Sequence, residues 1–190
     1  MNKKNRKIFI LHEIYGVNDF IQEQALAYND AYTDVECIHF YSDEKVFSYA
    51  QEKEAYAHFT NEIGFDAPLE ILARKLKTAI QQYDKVLVIG FSVGATIAWR
   101  LSTLPLHRVV CVYGSRIRQY LDLQPSCPTL ILLPNHEKNF NVQDLKQALN
   151  HIQYVQTIQF PGEHGFMDCY NSAYHYESAI QAHTYIKNFI

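Results

Sequence analysis

The stretch from Val86 to Ala95 constrains this chain more than any other. Its run Val86-Leu87-Val88-Ile89 has the near-continuous apolar, β-branched character of a strand buried on both faces, and Gly90 cuts it short. From Val93 to Leu104 the apolar residues Ala95, Ile97, Ala98 and Leu101 recur at roughly helical spacing, and Pro105 ends the pattern. Between strand and helix lies Gly90-Phe91-Ser92-Val93-Gly94, the G-x-S-x-G pattern of a nucleophile elbow. In such a turn the serine backbone is strained and its hydroxyl is pushed out above the sheet edge. Gly90 and Gly94 lack the β-carbons that would clash there. The helix start then directs the Val93 N–H, and a positive dipole end, at a reacting centre. The same pattern also arises by chance in βα turns, so the remainder of the chain has to supply the partners.

At 190 residues the chain is read as one domain, 1–190, large enough for a single good core. The first strand is expected over Lys7 to His12, followed by a helix capped by Asn18 or Asp19 and carrying Ile21, Ala25, Leu26 and Tyr28. Thr33 to Tyr41 is the second strand. Residues 42–66 are polar but rich in Tyr, Phe and His, and read as loop plus a short helix over one face. Pro68 opens a helix with an apolar stripe of Leu69, Leu72, Leu76, Ala79 and Ile80. After the elbow helix come strands over Arg108 to Tyr113, Thr129 to Leu133 and Tyr154 to Phe160, with a helix over about Val142 to His151. A last helix is expected from Asn171 to Phe189, with Ala173, Ile180, His183 and Ile186 on one side. This alternation predicts an open, mostly parallel α/β sheet with helices on both faces.

Net charge is −3, which gives no electrostatic case for nucleic acid or an acidic membrane surface. The cluster Lys3-Lys4-Asn5-Arg6-Lys7 reads as a solvated tail. No secretory-signal pattern is read at the start, and no apolar run approaches the ~18 residues of a membrane span. Cys37, Cys111, Cys127 and Cys169 show no C-x-x-C spacing, so reduced thiols and a cytoplasmic setting are expected. His12-Glu13 and His136-Glu137 each begin like H-E-x-x-H, but Gly16 and Asn139 occupy the second histidine's place, so no metal is expected. Dinucleotide and P-loop glycine patterns are absent.

Open α/β sheets carry their chemistry outside the carboxyl ends of the strands. The residues found there are Glu13, Ser92, Glu137 and His164. Nucleophile, acid, histidine is the chain order of the α/β-hydrolases. Ser92 needs a base to take its proton, and His164 has a suitable ordinary pKa. Glu137 is then the carboxylate that fixes the histidine tautomer and stabilises its charged form.

His12-Glu13-Ile14-Tyr15-Gly16-Val17-Asn18 resembles the Q/H-E-I-F-G-V-N segment of the dienelactone hydrolase family. Tyr113-Gly114 is similar to that family's Y-Y-G after the post-elbow strand, and Glu163-His164-Gly165-Phe166 to its G-H-x-F loop. The resemblance runs from about Lys7 to Ile190. It implies an α/β-hydrolase fold and an oxyanion hole made by the backbone N–H groups of Ile14 and Val93. It further implies that Glu13 stands beside the nucleophile, that the substrates are small esters or lactones, and that there is no cofactor. The chain departs from the family at Ser92, where dienelactone hydrolases proper carry cysteine, and at Glu137, where their G-x-x-D turn carries aspartate. The substrate-binding arginine four residues beyond the histidine is replaced by Asp168. The segment before the first strand is too short for the family's extra strands, so a sheet of about six is expected.

The sequence thus predicts a serine hydrolase of small carboxylic esters or lactones. Thioesterase and lipase-like enzymes are rivals within that class, and a non-catalytic hydrolase-fold protein holding a small ligand or partner in the same cleft is the alternative. Oligomeric state is not set by the sequence. With Asp168 on the cleft wall, an anionic substrate would meet repulsion. The expected outcome is a higher kcat/KM for a neutral small ester than for its carboxylate-bearing analogue.

Overall fold

Apolar runs separated by amphipathic segments build one twisted sheet with a helical layer on each side. The computed structural model describes residues 5–190. Strands β1 (Arg6–Leu11), β2 (Thr33–Ile38), β3 (Lys85–Phe91), β4 (Arg108–Val112), β5 (Thr129–Pro134) and β6 (Val155–Phe160) pair in the order β2-β1-β3-β4-β5-β6. Every pairing is parallel. The helices are α1 (Asp19–Tyr28), α2 (Glu52–His58), α3 (Asp66–Gln82), α4 (Val93–Leu101), α5 (Val142–Leu149) and α6 (Tyr176–Phe189). This is the six-strand α/β architecture that the sequence implies.

Alternate strand residues point to opposite faces, which divides the core in two. Phe9, Leu11, Val88, Val109, Cys111 and Ile131 pack under α3, α4 and α5 through Leu72, Leu76, Ile97, Trp99, Leu145 and Leu149. Ile8, Ile10, Leu87, Ile89, Val110 and Leu130 pack under α1 and α6 through Phe20, Ile21, Tyr28, Ala182 and Ile186. Strand β1 lies between β2 and β3, so the chain reverses direction across the sheet there. The loop leaving β1 climbs to α1 on one face, and the turn leaving β3 enters α4 on the other. The crevice between them is the topological switch point where open α/β sheets place their sites.

Three local expectations change. Arg6, read as tail, belongs to β1 together with Lys7, where the first strand was expected to begin; Lys3 and Lys4 lie outside the described residues. Lys7 is buried because Asp34 and Glu36 on the neighbouring strand take its ammonium at 2.8 and 2.9 Å. On α1, Leu26 faces solvent and Gln24 is buried in its stead. The last helix begins at Tyr176, not Asn171, because residues 165–174 are consumed in successive turns, Gly165 to Asp168, Asp168 to Asn171 and Asn171 to Tyr174. Its buried face is consequently Ser178, Ala179, Ala182 and Ile186, while Ile180 is exposed.

The elbow is formed as expected. Ser92 sits at φ 53°, in the left-handed region costly for a residue with a β-carbon. Its N–H bonds the Val112 carbonyl at 3.0 Å and its carbonyl accepts from Thr96 at 3.2 Å, so both neighbours hold the strain. A β-carbon on Gly90 would fall 2.7 Å from the Ala95 nitrogen and nearer still to the Gly94 carbonyl oxygen. All of those atoms are backbone and cannot rotate away. We expect Gly90→Ala to lower unfolding stability by at least about 2 kcal/mol, read from the denaturation midpoint at unchanged slope.

Candidate active site

The loops that end β1, β3, β4, β5 and β6 converge over the switch point and enclose a cavity of about 690 Å³. Ser92, Val93, Glu13, Ile14, Glu137 and His164 all line it. From the elbow, Ser92 Oγ lies 2.8 Å from His164 Nε2, and His164 Nδ1 lies 2.8 Å from Glu137 Oε1. Three side chains from three separate loops therefore form one hydrogen-bonded line. The Glu137 side chain is only 7 % exposed, and its carboxylate faces inward to the imidazole. That contact fixes the proton on Nδ1 and leaves the Nε2 lone pair for the serine hydroxyl. Burial opposes a charged His164, but the Glu137 hydrogen bond and charge, with Glu13 and Glu52 adding, raise its pKa above the ordinary 6.5.

Below the histidine, Tyr113 ends β4 at φ 42° and is fully buried. Its ring lies tilted 5.0 Å from the His164 ring and edge-on 5.6 Å from Phe166. Ile14 and Val93 reach the cavity from the two sides of the crevice. Val93 is the first residue of α4, so its N–H has no intrahelical acceptor.

Glu13 is 3 % exposed, not a loop carboxylate in water. Burial pushes its pKa up to about 7, the Asp168 charge pushes the same way, and His164 and Tyr113 oppose. Its Oε1 has no partner at ordinary hydrogen-bond geometry, and the buried Tyr113 hydroxyl beside it makes the smallest of these contributions. The carboxyl is thus poised between its neutral and charged forms at physiological pH, within electrostatic reach of His164.

Asp168 requires a correction. It is fully buried and does not line the cavity. The Tyr49 hydroxyl covers it, donating to Oδ2 at 2.5 Å, while the Tyr170 N–H donates to Oδ1 at 2.9 Å. Tyr49 in turn accepts from Asn18 at 2.9 Å and forms part of the cavity wall. Nor does Asp168 cap α6, which starts eight residues later. A turn between β6 and α6 has carried it inward, behind Tyr49 and off the cavity wall.

Sequence reasoning left the cavity wall largely blank. Tyr15, Tyr49, Glu52, Tyr56 and Phe65 come from the loop after β1 and from the aromatic 42–66 segment and its edge. That segment folds as a 3-10 turn (Tyr49–Gln51), α2, and a π turn (Phe59–Ile63). Its aromatic richness was the signal. Arg116 and Arg118 reach the cavity from the turn Ser115–Gln119 after β4. Arg116 donates to the Tyr56 hydroxyl at 2.7 Å, and the Arg118 guanidinium lies 4.9 Å over Phe140. Arg100 instead pairs with Asp66 at 2.8 Å, and Arg74 is not on the wall. Among the described residues no group of three or more His, Cys, Asp or Glu side chains is arranged to hold a metal ion, and no helix is long and apolar enough to cross a membrane.

Fold, elbow and site loops together define an α/β hydrolase. The chain belongs to the dienelactone hydrolase family, whose family model matches residues 1–190. A relative, the uncharacterized protein YczH of Bacillus subtilis (strain 168), is 36% identical over 162 residues, covering 84% of this chain and 79% of that protein. A candidate dienelactone hydrolase from Klebsiella pneumoniae superposes with a TM-score of 0.82 at 17% identity, over 99% of this chain and 87% of that one. The dienelactone hydrolase-like promiscuous phosphotriesterase P91 from metagenomic libraries gives 0.78 at 17% identity, over 100% and 87%. At such identities the two solved structures speak for the fold.

The buried Glu13 has a measurable consequence. Its carboxyl ordinarily titrates near 4.5, so between there and about 7 the folded chain keeps a proton that the unfolded chain releases. Stability contributed by the neutral form is therefore lost as pH rises through that window, up to about 3 kcal/mol above it. Glu13→Gln removes the titration. We expect its stability relative to wild type to improve from pH 4.5 to pH 8, measured as unfolding free energy in denaturant. Parallel pH dependences for the two proteins would contradict the assignment.

Proposed function

We propose that this chain is a serine hydrolase that cleaves small carboxylic esters or lactones through an acyl-enzyme. The observation that carries the reading is the line Ser92 Oγ, His164 and Glu137, joined at 2.8 Å twice, on a strained elbow at a cavity mouth. In the proposed reaction His164 Nε2 removes the Ser92 proton as Oγ attacks the substrate carbonyl carbon. The carbonyl oxygen takes up the negative charge, and the N–H groups of Ile14 and Val93 hold it. Collapse of the adduct expels the alkoxide, which takes the proton from His164. Water then attacks the acyl-enzyme with the same histidine as base, and its proton returns to the departing Ser92 oxygen. Glu137 stabilises the imidazolium in both halves without itself becoming protonated. No cofactor is assigned to this chemistry, and no nucleic-acid or membrane partner.

Substrate charge is read differently from the sequence expectation, since the carboxylate on which that expectation rested lies behind Tyr49. Arg116, Arg118 and Lys138 line the cavity, so its wall holds counter-charge for an acidic group as well as Glu52 and Glu163 for a basic one. Free thiols at Cys37, Cys111, Cys127 and Cys169 support a reducing, cytoplasmic setting.

The test is a panel of ester, thioester, lactone and phosphotriester substrates with wild type and Ser92→Ala. The variant should lose several orders of magnitude in kcat while remaining folded, and wild type alone should be labelled by a fluorophosphonate. A folded wild type that is neither labelled nor active would favour the ligand-binding alternative. Activity should fall on acidification with an apparent pKa above 6.5, the direction in which Glu137 moves His164. For substrate charge, Arg116→Ala should reduce kcat/KM for an anionic ester roughly tenfold more than for its neutral analogue. Asp168→Asn should leave that ratio unchanged.

A further inference from the structure

Immediately before Glu13, at the end of β1, His12 is fully buried and makes no contact with the Ser92–His164–Glu137 line. Its Nδ1 is hydrogen-bonded to the Glu13 carbonyl oxygen, and its Nε2 receives the Phe40 N–H at 3.0 Å. A carbonyl can only accept and an N–H can only donate, so the pair of contacts fixes one neutral tautomer with the proton on Nδ1. The rings of Phe40 and Tyr41 lie 4.2 and 5.1 Å from the imidazole, and burial depresses its pKa to about 3. The neutral form is thus the only one present in any ordinary buffer.

The acceptor of that bond is one end of the Glu13–Ile14 peptide. In a planar trans peptide the C=O and the following N–H point in opposite directions. With the Glu13 oxygen tied to His12, the Ile14 N–H is turned away from the imidazole, and Ile14 is one of the residues lining the cavity with Ser92 and Val93. The next peptide is anchored too, since the Tyr41 hydroxyl donates to the Ile14 carbonyl at 2.5 Å. The Glu13 oxygen also accepts a longer bond from the Gly16 N–H at 3.4 Å, so the His12 contact is the shorter of the two that hold this peptide.

We propose that His12, with Tyr41 behind it, is a positioning residue that locks the Glu13–Ile14 peptide with its N–H toward the developing oxyanion. The proposal rests on the serine-hydrolase reading above. It gives a chemical role to a buried polar side chain that the reaction itself does not touch. It also gives Phe40 and Tyr41, which follow β2 and are not on the cavity wall, a part in holding the loop that is.

Two replacements separate this role from mere packing. His12→Leu keeps apolar bulk and removes donor and acceptor together, whereas His12→Gln, the residue that the family segment carries here as the alternative to histidine, keeps an N–H donor and an acceptor oxygen. With p-nitrophenyl acetate as substrate, His12→Leu should lose roughly a hundredfold in kcat with KM changed less than about threefold. Inhibition by phenylboronic acid, whose tetrahedral serine adduct uses the same donors, should weaken in step. His12→Gln should keep at least about a tenth of wild-type kcat. Should His12→Leu fail to fold, Tyr41→Phe reads the same lock, with kcat expected to fall about tenfold. Wild-type kcat in both His12→Leu and Tyr41→Phe, or equal losses in the Leu and Gln variants, would overturn the lock. Ser92→Ala serves as the control. If it abolishes turnover while the His12 variants do not, only the lock fails; if it leaves turnover intact, the hydrolase reading fails and the lock with it.

Discussion

Everything at this site depends on a contact between two pieces of backbone. A β-carbon on Gly94 would lie 2.5 Å from the Leu11 carbonyl oxygen and 2.6 Å from that of His12. Helix α4 therefore starts directly against the end of β1, closer than any side chain allows. That approach sets the width of the crevice between the elbow and the Glu13–Ile14 loop. It is also why Ser92 can be held at φ 53°: the strained residue is braced by β1, by the Val112 carbonyl and by its own helix. The hydrogen-bonded line to His164 and Glu137 is then hung from this fixed point by the loops after β6 and β5.

Beneath the reacting groups the protein buries more acid than stability alone would favour. Glu13 and Asp168 each have raised pKa values, mainly because burial opposes their charge. Asp168 is compensated by Tyr49 and by the Tyr170 N–H, whereas Glu13 retains an oxygen with no partner at ordinary hydrogen-bond geometry. An uncompensated buried carboxyl is a cost tolerated where a proton or a field is useful. Here its field falls on His164, whose pKa it helps to raise. The cavity above is shaped by parts with no sequence continuity: the loop after β1, the aromatic 49–65 segment, the Ser115–Gln119 turn, and the loops carrying Glu137 and His164.

Local sequence was sufficient for much of this. Six strands, their order of appearance and the elbow were all legible, because each rests on short-range rules: β-branched apolar runs, glycines in a tight turn, proline after a helix. The positions of Ser92, Glu137 and His164 just after β3, β5 and β6 were legible for the same reason, since a parallel sheet brings all strand ends to one edge. Errors fell where neighbours distant in the chain decide. Arg6 looked like part of a solvated tail, but β1 takes it in and Asp30 holds its guanidinium at 2.7 Å. The start of α6 was displaced because side chains and carbonyls of 165–174 satisfied one another in turns instead of a helix.

Asp168 marks the boundary most clearly. The sequence determined that an acid stands four residues past the histidine, and from that its presence at the cleft followed as the natural reading. Only the tertiary structure decided that Tyr49, 119 residues away in the chain, lies over it and keeps it off the cavity wall. The same holds for His12, whose residue type and place beside Glu13 are plain in the sequence. Its proton is assigned once the folded chain sets the Phe40 N–H against Nε2 and the Glu13 carbonyl against Nδ1. The physical reason is common to both. Backbone propensity and apolar periodicity are local and can be read from a chain. The partner that desolvates, screens or orients a polar group is chosen by packing, and packing exists only once the chain has folded.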